Sequence, residues 1–145
     1  MIVALVRPDS WNLPLFLHVL GAIVLVGAMA SVALAVRVAG TLTTLRGLPF
    51  RILLLVAIPA WVLMRLAGQW IDNKEDIPGD PTWLGIGFGI ADAGPVVLIL
   101  ATAAAWWAAK RPERRWPRQT VGALALLYLV ALAVTWWAMS AKPGA

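Results

Sequence analysis

The chain is short of several residue types, and each shortage excludes a class of protein. It has no cysteine, which excludes a disulfide scaffold and any metal site built on thiolates. Charged residues make up 13% of the 145 positions, about half their usual share in soluble chains, whereas hydrophobic residues make up 61%. A soluble domain of this length cannot hide so much apolar surface, so the composition predicts an integral membrane protein.

Histidine occurs once, as His18, which limits haem and metal chemistry. A haem held by two histidines is excluded for a single chain, which leaves a His–Met pair, with Met64 the best-placed sulfur and Met139 the next. The sequence has no HExxH motif, no paired carboxylates, no readable Ser/His/Asp arrangement and no phosphate-binding glycine loop. It therefore assigns no catalytic residue and no metal ligand, and it does not identify a cofactor, although haem b stays open.

Four apolar runs are long enough to cross a hydrocarbon layer of about 30 Å as helices. They are Leu13–Val36, Ile52–Ile71, Trp83–Ala109 and Val121–Met139. Because the connections between them are short, successive helices should be antiparallel neighbours. The predicted fold is all-α, an up-down bundle of four transmembrane helices that forms a single domain over residues 1–145.

Basic residues are unevenly distributed between the connections. Eight of the twelve Lys and Arg residues lie in the first and third connections, 37–51 and 110–118. Cytoplasmic loops accumulate positive charge, so we expect these two connections inside the cell, and both termini and the acidic connection, 72–81, outside. The basic residues lie between apolar runs rather than along one helix face, so we expect the lipid bilayer as partner and no nucleic acid.

The first run has an alternative interpretation as a cleaved signal peptide, because Ala33-Leu34-Ala35 offers the small residues that a signal peptidase accepts. However, the run is longer than a signal h-region, and the leader before it holds Arg7 balanced by Asp9 rather than a positively charged segment. We therefore expect the first span to remain in the protein.

Three ionisable residues lie within the predicted spans, where such groups are costly and usually face the bundle interior. Counted at about 1.5 Å per residue, His18, Arg65 and Asp92 lie about 10, 8 and 13 Å below the tryptophan at the outer end of their own spans. They therefore reach one layer in the outer half of the bilayer. The prediction is a single polar cluster shared by the four helices: His18, Arg65, Gln69, Asp92 and Thr135.

The most economical contact in this cluster is an ion pair between Arg65 and Asp92, which would fix the register of one helical hairpin. Two alternatives stay open. Arg65 can extend to the outer surface and leave Asp92 protonated, or Asp92 can serve a proton-coupled carrier. His18 is expected to form an interhelical hydrogen bond, with axial haem ligation as the alternative, in which Arg65 would hold a propionate.

Other features of the spans predict how the helices pack. Gly85-x-x-x-Gly89 is a signature of close helix packing. Pro59 and Pro95 should kink the second and third spans, because proline removes a helix hydrogen bond. Two polar residues of the fourth span are expected to form interhelical hydrogen bonds: Tyr128 and Thr135.

The first span also carries a motif with known counterparts. Leu17-His18-Val19-Leu20-Gly21-Ala22, followed by Gly27, resembles the first-helix motif of an uncharacterised family of small bacterial four-helix integral membrane proteins and, more distantly, of copper-resistance CopD-like proteins and HemJ-like protoporphyrinogen oxidases. The resemblance covers about one helix by motif and the rest by topology. It implies a multi-pass protein of the bacterial inner membrane, and the HemJ-like relatives point to His18 as a residue associated with haem. The chain departs from the HemJ-like pattern in having Val26 where a tryptophan is common, and no lysine within the spans.

Together these observations predict a small, non-enzymatic inner-membrane protein whose polar cluster organises the bundle and binds a small ligand or a partner. A homo-oligomer or a larger membrane complex is compatible with this reading. The alternatives are a haem-binding redox protein with His18 as axial ligand and Met64 and Arg65 beside the cofactor, or a proton-coupled carrier that uses Asp92.

Overall fold

The computed structural model describes residues 12–39, 43–75 and 81–142. These residues are organised entirely as helices and their connections, as follows: α1 (Asn12–Val38), a 3-10 turn (Thr43–Leu45), α2 (Leu48–Ile52), a π segment (Leu53–Ala57), α3 (Ile58–Glu75), α4 (Thr82–Lys110) and α5 (Arg115–Ala141). The π segment joins α2 and α3 into one rod, Leu48–Lys74, here called the second span. The described residues thus contain four helices long and apolar enough to cross a membrane, which confirms the predicted all-α fold.

All four spans begin earlier than the sequence predicted, two of them by a single residue and the other two by a helical turn or more. The second span starts at Leu48 rather than Ile52, and α5 starts at Arg115 rather than Val121. Pro49 and Pro117 belong to the connections expected from the sequence, 37–51 and 110–118, but both lie in a first helical turn, where the backbone N–H has no intrahelical partner and proline is tolerated. As a result, the connection before α5 shrinks to the few residues from Arg111 to Arg114.

Pro59 explains the π segment in the second span. Proline at this position cannot donate to the carbonyl of Leu55, four residues earlier. The helix responds by widening one turn, so that the N–H of Ile58 donates to the carbonyl of Leu53, five residues earlier. The predicted disturbance at Pro59 is therefore present as a π segment inside a continuous rod. Pro95 also lies inside a continuous helix, α4.

The four spans form a bundle in which the helices do not all pack equally closely. α1 packs against α3 and α5, and α4 packs mainly against α5. α4 contacts the second span chiefly through α2 and the π segment, and makes few direct contacts with α3. We call the end with the α1–α2 and α4–α5 connections the basic end, and the opposite one, where α3 leads to α4, the acidic end.

Small residues allow the helices to approach closely. A Cβ atom at Gly21 would lie 2.7 Å from the backbone nitrogen of Met64 and 2.9 Å from the carbonyl oxygen of Ala60, so α1 and α3 meet backbone to backbone. Such contacts matter in a membrane, where helices associate through van der Waals packing rather than the hydrophobic effect. The largest fully buried side chains belong to this interior: Tyr128, Leu25, Met29, Leu53, Leu98, Val32 and Val121.

The face of α4 that enters the bundle is not the predicted one. Gly85 and Gly89 are exposed, and a Cβ at either position would meet no atom within 4 Å. Gly87 and Gly94 are buried instead, two helical turns apart, on the face that continues to Leu98. The prediction that Gly85-x-x-x-Gly89 packs closely is therefore wrong within the described residues, because a small-residue spacing does not specify which of several glycines faces a neighbour.

Candidate intramembrane polar site

Arg65 of α3 forms the centre of a polar site that reaches across to α4. Its Nε donates to Oδ1 of Asp92 over 2.7 Å, and its Nη1 donates to Oε1 of Gln69, one turn along α3, over 2.8 Å. The guanidinium carbon also lies 4.8 Å from the centroid of the Phe88 ring, a cation–π distance. The predicted ion pair between Arg65 and Asp92 is thus present, and Arg65 has three partners on two helices.

Gln69 extends the site towards the acidic end. While its Oε1 accepts from Arg65, its Nε2 lies 3.4 Å from Oδ2 of Asp72 and 3.3 Å from Oδ1 of Asn73. These distances are longer than typical N–H···O bonds, so the two contacts are weak. The result is a chain of polar side chains from Asp92 to the last turn of α3.

The Arg65–Asp92 pair is asymmetric in its exposure. The Arg65 side chain is 22% exposed, whereas that of Asp92 is 58% exposed on the outside of the bundle. Among the described residues, Asp92 has Arg65 as its one hydrogen-bond partner, through a single carboxylate oxygen. The second oxygen of Asp92 is therefore open to a donor from outside this part of the chain.

His18 of α1 contacts α3 on a different side from Asp92. Its Nδ1 lies 2.9 Å from the carbonyl oxygen of Met64. A carbonyl only accepts, so Nδ1 carries the proton in this contact and donates. The ring rests on Gly68, where a Cβ would lie 3.1 Å from Nδ1 and 3.2 Å from Cε1. The structure therefore gives His18 the interhelical hydrogen bond that its lone position predicted.

The five residues of the predicted cluster do not all meet. Arg65, Gln69 and Asp92 are joined directly, and His18 lies beside them through the backbone of Met64, with no hydrogen bond to the other three in the described residues. Thr135 is not part of this group, because its hydroxyl donates to the carbonyl of Ala131 in its own helix over 3.0 Å. Threonine hydroxyls within helices commonly donate a hydrogen bond to the carbonyl four residues earlier.

A second link between α3 and α4 escaped the sequence analysis. Trp61 Nε1 donates to the carbonyl oxygen of Ala91 over 2.9 Å. Ala91 lies four residues before Pro95, which has no N–H, so this carbonyl lacks its usual helix partner. Trp61 supplies the missing donor. The sequence held two indications of this bond: Trp61 lies deep within its span, where its indole N–H needs an acceptor, and Ala91 lies four residues before Pro95.

Tyr128 differs from its prediction. Its side chain is buried and contacts Gly94, but its hydroxyl has no hydrogen-bond partner in the described part of the chain. The expected interhelical hydrogen bond of Tyr128 is therefore not found there. Gly94 explains the approach of the two helices, since any larger residue would meet the Tyr128 hydroxyl and the Trp61 indole.

The described residues contain no group of three or more His, Asp or Glu side chains placed to hold a metal ion. For a haem, His18 supplies one nitrogen, Nε2, that is free of hydrogen bonds within the described residues. Met64, the expected second ligand, accepts the hydrogen bond of His18 through its backbone carbonyl, so the imidazole lies against that residue. His18 lines neither the cavity at the basic end nor the cavity between α4 and the second span.

Residues 1–11, which include the leader considered in the signal-peptide alternative, lie outside the described part of the chain, and so do residues 76–80 of the acidic connection. No protein-family model matches the chain, and no curated protein or solved structure is significantly similar to it. The CopD-like and HemJ-like resemblance therefore stays a prediction carried by the first-span motif alone.

Proposed function

We propose that the chain is a non-enzymatic, multi-pass protein of the bacterial inner membrane in which Arg65, Gln69 and Asp92 hold the second and third spans together and present Asp92 to a small ligand or a partner. The observation that carries this proposal is the 2.7 Å pair between Arg65 and Asp92 at a level where α3 and α4 make few direct contacts. At that level the side chains, not the backbones, connect the two helices.

The structural half of the proposal follows from the cost of charge in a membrane. An unpaired Asp or Arg in the middle of a span costs about 2.5–3.5 kcal/mol on insertion scales. Pairing lowers that cost for both groups, and it does so only when the second and third spans hold one register. The bond from Trp61 to Ala91 adds a second point of attachment between the same two helices.

The binding half of the proposal follows from the exposure of Asp92. More than half of its side chain faces outward, and one carboxylate oxygen has no donor among the described residues. An ionised oxygen facing lipid without a donor is unfavourable, so a ligand or a neighbouring polypeptide that supplies an N–H or O–H group would be stabilised there.

Photocrosslinking in native membranes tests this binding half. A photoreactive amino acid at Val96, one turn from Asp92 and 60% exposed, should give an adduct with a partner or a second copy, and Asp92→Asn should weaken it. The matched control is Leu127 of α5, which is 61% exposed and has no acidic neighbour of this kind. Adducts at Val96 that are unchanged by Asp92→Asn, or absent, would contradict the proposal.

A second candidate function, haem binding, is favoured by one observation on His18. Its Nδ1 is tied to a backbone carbonyl, which is the arrangement that orients axial histidines and leaves Nε2 for iron. A bound haem would supply redox chemistry, with His18 as its one placed ligand. The purified protein should then show a Soret band that is lost in His18→Ala and kept in Thr135→Ala; no Soret band after reconstitution with haem b would remove this candidate.

The proton-coupled carrier is the remaining alternative, and it depends on Asp92 as well. If the protein is such a carrier, liposomes that contain it should show a flux across their membrane that depends on pH. Equal flux for the wild type and Asp92→Asn would exclude it, and it would leave the structural proposal above untouched.

A further inference from the structure

We propose that the basic end of the bundle holds a binding site for a phosphate-bearing group, formed by Arg46, Arg114 and Arg118. These three side chains line one partly enclosed cavity of about 60 Å³. The site lies at the opposite end of the bundle from the Arg65 site, so the proposal does not depend on the function proposed above.

The cavity is built where all four spans meet. It lies between the end of α1, the start of α2, the end of α4 and the first turn of α5, and its remaining walls are apolar or proline residues. At about 10–15 Å³ per water, a cavity of this volume holds about four to six waters, which is comparable with the five heavy atoms of a phosphate group. Its size therefore suits a compact oxyanion better than a bulky ligand.

The charge of the cavity is uncompensated. Within the described residues, none of the three guanidinium groups has an ion pair or a hydrogen bond, and Glu113 is the one acidic residue described at this end. Guanidinium groups bind phosphate through paired, charge-assisted hydrogen bonds. The three guanidinium groups around this cavity therefore offer N–H donors that no described residue accepts from.

The first turn of α5 adds to this positive potential. Its cap residue, Arg114, makes no side-chain capping bond, so the first N–H groups of a 27-residue helix are not capped by a side chain. Helix N-termini attract anions for this reason. The C-terminal ends of α1 and α4 carry partial negative charge at the same end, which three full positive charges exceed.

The general excess of positive charge in cytoplasmic loops does not account for this convergence. That rule places basic residues on one side of a membrane, without requiring them to share a cavity. Lys110, Arg111 and Arg115 lie in or next to the same connection, and they do not line the cavity. Basic pockets between transmembrane helices on the cytoplasmic side are the kind of site that binds anionic lipid headgroups.

A lipid titration tests the proposal on the full-length purified protein. Thermal unfolding is followed in detergent while phosphatidylglycerol is added, with zwitterionic phosphatidylcholine as the lipid control, because a ligand of the folded state raises the midpoint. The cavity variant is Arg46→Gln, Arg114→Gln, Arg118→Gln. The charge-matched control variant is Lys110→Gln, Arg111→Gln, Arg115→Gln, which removes the same charge from the same end.

We expect phosphatidylglycerol to stabilise the wild type and the control variant, and the cavity variant to bind it roughly a hundredfold more weakly, at about fivefold per arginine. The single variant Arg118→Gln, about fivefold weaker, serves if the triple variant does not fold. Stabilisation by inorganic phosphate or pyrophosphate alone would support the site and identify a soluble phosphate compound rather than a lipid as the source. Equal weakening in both triple variants, or no stabilisation by any of these compounds, would overturn the proposal.

Discussion

Removing Arg65 should destabilise the protein more than removing Asp92, although both changes break the same ion pair. Arg65→Met leaves Asp92 with no described partner, so we expect a loss of about 3 kcal/mol, the cost of one unpaired carboxylate within a span. Asp92→Ala leaves Arg65 with Gln69 and the Phe88 ring, so we expect a loss of about 1 kcal/mol. The double variant Arg65→Met, Asp92→Leu removes both charges, and since a lone charge is worse than none, we expect it to lose less than about 1 kcal/mol.

These values correspond to a coupling energy of more than about 3 kcal/mol between the two residues. Unfolding in lipid bicelles, followed by tryptophan fluorescence, measures all four members of the cycle under one condition. Glu113→Ala, at an exposed position in the connection between α4 and α5, is the control for loss of an acidic residue outside the polar site. If the double variant loses the sum of the two single losses, the residues do not interact and the reasoning is refuted.

Three further predictions concern the contacts of Trp61, Gly94 and Tyr128. Trp61→Phe should lower the free energy of unfolding by about 1 kcal/mol, because it removes the donor to the Ala91 carbonyl. Adding Pro95→Ala restores a backbone N–H to that carbonyl and should recover most of the loss, as measured by thermal unfolding. No recovery would show that the Ala91 carbonyl does not depend on Trp61 for a donor. Gly94→Ala should cost about 1–3 kcal/mol through overlap with Tyr128 and Trp61. Tyr128→Phe should leave the free energy of unfolding unchanged or raise it, since its hydroxyl has no described partner, and a large loss would reveal one.

The fold was predictable from the sequence because it depends on long-range averages. Four apolar runs and short connections determine four antiparallel helices, whatever the individual contacts. The errors fell at single residues whose role depends on position within a helix. Pro49 and Pro117 were expected in the connections, but they lie in the first turns of helices, because the first turn needs no N–H from them.

The polar site was predictable in part. Depth along the spans brought Arg65, Gln69 and Asp92 to one level, and their charges gave a reason to pair. The depth of a residue along a span does not determine the direction in which its side chain points. For this reason Thr135 was expected in the cluster, although its hydroxyl donates within its own helix. Rotation of each helix about its axis decides such contacts, and packing of residues such as Gly94 sets that rotation.

The central claim is that four spans cross the membrane with Arg65 and Asp92 inside it, and the absence of cysteine makes a direct test simple. Single cysteines are placed at Asn73, at the acidic end, and at Glu113, at the basic end, both exposed. The reagent is a maleimide that cannot cross the inner membrane, applied to intact cells whose layers outside that membrane let it pass. It should label Asn73→Cys in intact cells and Glu113→Cys only after lysis. Labelling of both positions in intact cells, or of Glu113→Cys alone, would contradict the account.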